Sequence, residues 1–133
     1  MGFVSSGIRE AILIHRDGTF LGRHPLVNPS PVDWAAQARA LIDLMDAVGA
    51  SFDSAPEQLR DLQFEDLTLH LEVGDQLILV SIVEGRVRPA LARRVRACLV
   101  DVEMNFHAAL ASWDGRPERF AGIDRMLRGL VDG

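Results

Sequence analysis

The sequence predicts a mixed α/β (α+β) fold: a five-stranded antiparallel sheet flanked by helices on both faces, in the order β-β-α-β-β-β-α-α, as one domain over residues 1–133. Three observations carry that expectation. The run from Gln76 to Val83 is almost unbroken in its apolar character, rich in β-branched residues and bounded by Gly74-Asp75 and Glu84-Gly85. A surface strand would alternate, so this one belongs in the middle of a sheet with both faces covered. Asp17-Gly18 stands between two apolar segments, the strongest short signal for a hairpin. Finally, Leu91, Val95, Cys98, Leu99, Val102, Phe106, Ala109 and Trp113 step by three or four residues, the spacing of one helix face.

In chain order, residues 8–16 read as the first strand and residues 19–24 as its partner, with Asp17 and Gly18 as the two turn residues at positive φ. A proline-rich loop follows. Ser30 then offers an N-cap, Pro31 the first helical position and Asp33 an acid at N3, and Gly49 supplies the stop, so a helix is expected over residues 31–48. Its apolar stripe is Trp34, Ala35, Ala38, Leu41, Ile42, Met45 and Val48, with Asp43 off the stripe. Residues 50–57 read as a loop. Residues 59–64 and 67–73 read as strands joined by Glu65-Asp66. In the second of them Leu67, Leu69, Leu71 and Val73 share one face and Thr68, His70 and Glu72 the other, which predicts a half-buried strand. With Gly74-Asp75 as the next turn, residues 59–83 form a meander. The longest helix is expected from Arg88-Pro89 to just before Asp114-Gly115, and a short one from Pro117, with Phe120, Ile123, Leu127 and Leu130 inward.

Composition narrows the function classes. The formal net charge of -5 argues against general electrostatic affinity for nucleic acid. All 14 basic residues are arginine and tyrosine is absent, which reflects a GC-rich genome rather than chemistry. The lone cysteine, Cys98, excludes an internal disulfide and fits a reducing compartment. No apolar run approaches the roughly 20 residues of a membrane span, and residues 1–10 have no leader pattern, so a cytoplasmic protein is expected.

No catalytic, metal or nucleotide motif stands out, and no cofactor is expected. His15, Asp17 and His24 on the first hairpin, and His70 with Glu72, lack the spacing of a known metal site, and exposed strand histidines are common. Cys98 sits on an apolar stripe and reads as an inert core residue. The unusual polar feature is Arg86, Arg88, Arg93, Arg94 and Arg96, five arginines within eleven residues at the entry to the long helix. The helix dipole disfavours cations there by about 0.3–1 kcal/mol each. Either an anionic partner compensates, or these are solvated side chains paired with Glu84, Asp101 or the acidic loop.

The order of elements, and the segment Ala11-Ile12-Leu13-Ile14-His15-Arg16-Asp17-Gly18-Thr19-Phe20-Leu21 in particular, resemble the longin and roadblock/LC7 group of domains, in which an apolar strand runs through a D-G turn into an apolar return. Roadblock proteins usually carry a helix before that strand; only about seven residues precede it here, and the added C-terminal helices follow the longin arrangement. The resemblance implies a non-catalytic interaction module in a bacterial cytoplasm, an adaptor or regulator of a small Ras-like GTPase, forming homodimers through the connecting helix and a sheet edge. Trp34, Leu41, Leu44 and Met45 are then the candidate dimer contacts, with burial in the chain's own core as the plain alternative. The arginine cluster is the candidate partner site. A second class, a small-molecule sensor with a cavity between sheet and helix, is also compatible with such a three-layer domain.

Overall fold

The computed structural model describes residues 7–24, 40, 43, 61–64 and 66–132. Five strands form an antiparallel sheet: β1 (Ile8–His15), β2 (Phe20–His24), β3 (Asp61–Phe64), β4 (Leu67–Val73) and β5 (Leu77–Glu84), in the spatial order β2-β1-β5-β4-β3. β5, the apolar run, lies in the centre, between β1 and β4. Every residue from Leu77 to Val83 is buried, as a strand covered on both faces requires. β3 is only four residues long and, among the described residues, pairs with β4 alone, so it forms one edge of the described sheet.

The pleat divides the apolar side chains between two clusters. Ala11, Leu13, Leu77, Leu79 and Val83 face the helices α1 (Pro89–Asn105) and α3 (Ile123–Asp132). Ile12, Ile14, Leu69, Leu71, Ile78, Val80 and Ile82 form a second buried cluster on the opposite face. Apart from Ala40 and Asp43, the helix expected over residues 31–48 lies outside the described residues, as do Trp34, Leu41, Leu44 and Met45. Ala40 and Asp43 are helical and exposed.

On the α1 side, Leu91, Val95, Leu99 and Val102 are the stripe that packs on the sheet. Ile123, Leu127 and Leu130 do the same for α3. The approach of α3 to β2 is close: a Cβ on Gly22 would stand 2.6 Å from Ile123 Cγ2, so only glycine admits the helix at this distance.

Four expectations need correction. Gly18 N donates to His15 O, which puts Arg16 and Asp17 at the centre of the first turn and Gly18, at φ 98°, just after it. That is the longer hairpin loop closed by a glycine bulge, not a two-residue Asp17-Gly18 turn. The β4–β5 turn shifts the other way, one residue on, since Gly74 N donates to Leu77 O and leaves Asp75 and Gln76 between. The long helix does not run on to Trp113: it stops at Phe106 (φ -110°, ψ 25°), and a five-residue helix α2 (His107–Ala111) follows. Phe106 there stacks on Phe120 at 4.6 Å between centroids. Pro117 starts only a 3-10 turn, Pro117–Phe120, because Gly122 at φ 89° interrupts the chain before α3 begins at Ile123.

Candidate functional site

The arginine cluster is built by the end of β5 and the first turns of α1. Gly85 at φ 75° ends the strand, and its N–H is fixed by Asp66 O at 2.9 Å. Arg86 and Arg88 lie in the connection, and Pro89 opens the helix with its fixed φ. Arg88 occupies the N-cap position without a side-chain cap, and the first turn carries no acid, so nothing at the start of α1 offsets the cations.

All five arginines are exposed, but the fold uses them in two ways. Arg94 donates to Leu130 O at 3.1 Å, capping a carbonyl near the end of α3. Arg96 donates to Val73 O at 2.9 Å, at the end of β4, and stands 3.9 Å from Glu72 Oε1. These two are braces between elements. Arg86, Arg88 and Arg93 make no hydrogen bond or ion pair among the described residues. Glu84, a suggested partner, pairs with Arg9 instead, at 3.3 Å.

Beside the cluster, Arg94, Ala97, Cys98, Asp101, Met126, Gly129 and Leu130 line an open groove of about 390 Å³ between α1 and α3. The groove therefore lies between two helices, not between sheet and helix where the sensor reading places its cavity. Cys98 is half-buried, and burial followed by the nearby Asp101 charge pushes its thiol above the ordinary value against the opposing pull of Arg94. A thiol held protonated is a poor nucleophile.

Strand β4 overturns the expectation of an exposed polar face. Thr68, His70 and Glu72 are all buried, each 6% exposed or less. They avoid the cost of unpaired polar burial by pairing. Thr68 Oγ1 donates to Gly85 O at 2.6 Å. His70 lies between two carboxylates, with Nδ1 2.5 Å from Asp61 Oδ1 on β3 and Nε2 2.8 Å from Glu72 Oε2. The register brings this about: His70 is opposite Asp61 on one side and Ser81 on the other. Burial alone would push the imidazole down, but its bonds to Glu72 and Asp61 and their charges outweigh that and raise it. The only sequence signal for this site is His-x-Glu on one strand face with an acid on the strand before; the pairing register that joins them is not in the pattern.

The first hairpin holds no metal arrangement. His15 and Asp17 meet, with Asp17 N donating to His15 Nδ1 at 3.1 Å, but His24 is drawn to Asp132 of α3 at 3.7 Å. Among the described residues no group of histidine, cysteine and acidic side chains can hold a metal ion, and no helix is long and apolar enough to cross a membrane. A further ion pair joins Glu10, buried on β1, to the partly buried Arg23 of β2.

No protein-family model and no curated protein matches this chain. Solved structures do. A roadblock/LC7 domain from Streptomyces avermitilis superposes with a TM-score of 0.59 at 20% identity, over 77% of this chain and 87% of that one. Myxococcus xanthus MglB superposes with a TM-score of 0.50 at 14% identity, over 70% of this chain and 77% of that one. An antiparallel sheet entered by a D-G hairpin and packed by C-terminal helices is thus a fold of the roadblock/longin type.

Proposed function

We propose that this chain is a non-catalytic interaction module that docks on a small Ras-like GTPase and works as a homodimer, with helices on both faces of its five-stranded sheet. The observation that carries the reading is the division of labour among the arginines. Arg94 and Arg96 brace the fold, while Arg86, Arg88 and Arg93 crowd the start of α1 in solvent, where the helix dipole makes them unfavourable. An acidic partner surface relieves that cost and supplies charge-assisted bonds. The roadblock/longin-type fold supports a GTPase as the partner, since adaptors and regulators of Ras-like GTPases are what the resemblance implies. The helix bearing Trp34, Leu41, Leu44 and Met45 is the dimer contact of this reading, placed there from the sequence alone.

Affinity capture on the purified protein, with retained chains identified by mass spectrometry, tests the partner. The reading expects a Ras-like GTPase whose retention changes between its GDP and GTP-analogue forms. Light scattering of the purified chain should give twice the 14.7 kDa monomer mass. A monomer that retains no GTPase in either nucleotide state contradicts it.

A further inference from the structure

Both ring nitrogens of His70 lie within hydrogen-bond distance of carboxylate oxygens, Asp61 Oδ1 at 2.5 Å and Glu72 Oε2 at 2.8 Å. A carboxylate accepts and does not donate, and a neutral imidazole carries one N–H. Two such bonds at once therefore require the imidazolium, or one further proton held within the same chain of three groups. Among the described residues, three charged groups lie within ion-pair distance of His70 or of its partner Glu72. β3 supplies Asp61, half-exposed; β4 supplies Glu72, buried; α1 supplies Arg96, 3.9 Å from Glu72. β5 supplies only the uncharged Ser81, whose buried Oγ is without a partner among the described residues.

The position of the site gives the proton a structural consequence. β3 is the edge strand, four residues long, held to the sheet by its ladder with β4 and by the Asp61–His70 contact. We propose that His70 is a proton-operated clasp: while its ring donates to both carboxylates it fastens β3 to β4, and on giving one proton to solvent it lets the edge strand go. Buried Glu72 keeps the remaining N–H, because leaving it unpaired costs more than returning half-exposed Asp61 to water. The edge that loosens is the one to which another strand can add. This inference does not depend on the partner proposed above.

Hydrogen exchange and histidine NMR on the intact chain test it together. His70 is expected to titrate above the usual value of about 6.5. Across that titration the protection of the amides at 61–64, corrected for intrinsic exchange, should fall about tenfold, while Leu13 on β1 stays protected. Asp61→Asn, at a half-exposed position that tolerates change, should lower the His70 midpoint and abolish the step. His70→Gln should leave β3 weakly protected at every pH. Protection at 61–64 that is flat through the His70 titration, a parallel loss at Leu13, or a step that persists in either variant overturns the proposal.

Discussion

The indole of Trp113 lies 4.6 Å from the imidazole of His15, 11° from parallel, and its N–H reaches Asp17 Oδ2 at 2.8 Å. Trp113 also meets Phe120 edge-on, and Phe120 stacks on Phe106. The segment after α1 is thereby fastened to the first hairpin, 96 residues earlier in the chain.

That contact makes stability depend on acid. Desolvation opposes ionisation of Asp17, but hydrogen bonds from Trp113 and from Thr19, with the charge of His15, outweigh it and hold the carboxyl down to about 2, against 3.8 ordinarily. A folded value below the unfolded one contributes stability above pH 3.8 that is lost as pH falls from there towards 2. Because the side chain is 43% exposed, solvent screening leaves about 1 kcal/mol of it. Denaturant titrations of wild type and Asp17→Asn should differ by that amount at pH 6 and converge near pH 2.

Gly22→Ala should destabilise by about 1–3 kcal/mol, since the added methyl meets the Cγ2 methyl of Ile123, held at a stiff β-branched position. Gly122→Ala finds open space and should lose stability only through its φ of 89°. Urea midpoints of the two, with an unchanged m-value, separate crowding from backbone strain; a neutral Gly22→Ala refutes the close approach of α3.

Leu99 is fully buried between α1 and the sheet, so Leu99→Ala should cost about 2–5 kcal/mol in the same titration. A cost under 1 kcal/mol contradicts the packing described for α1.

Glu10 and Arg23 present a different balance. Arg23→Met leaves the Glu10 carboxylate, 2% exposed, without its cation and should cost about 3–5 kcal/mol. The double variant Glu10→Leu/Arg23→Met removes both charges and should recover most of that loss. A double-mutant cycle by urea unfolding checks the sign.

Much of the sheet and the helices was legible in the sequence because one physical signal dominates each element. β4 has its expected bounds, Leu67–Val73, although its polar face is buried, and β5 runs one residue later than expected because Gln76 is drawn into the turn. The stripe from Leu91 to Val102 names the buried side of α1. What was not legible depends on contacts distant in sequence. The apolar spacing continues through Phe106, Ala109 and Trp113, so the break at Phe106 is invisible without its partner Phe120. Polarity along Thr68, His70 and Glu72 reads as exposure, because a pattern registers the polar atom but not Asp61 or the Gly85 carbonyl that satisfies it. The arginines were visible as a cluster; which two are braces follows only from where the fold places the carbonyls of Leu130 and Val73.

The most direct test of the central claim is capture of a Ras-like GTPase by wild type and by Arg86→Glu/Arg88→Glu/Arg93→Glu, with folding of the variant checked by thermal unfolding. The three side chains make no bond within the described structure, so their reversal should leave unfolding within about 0.5 kcal/mol of wild type. It should weaken capture at least tenfold, by less as salt is raised. Equal retention of the GTPase by wild type and the triple variant contradicts the account.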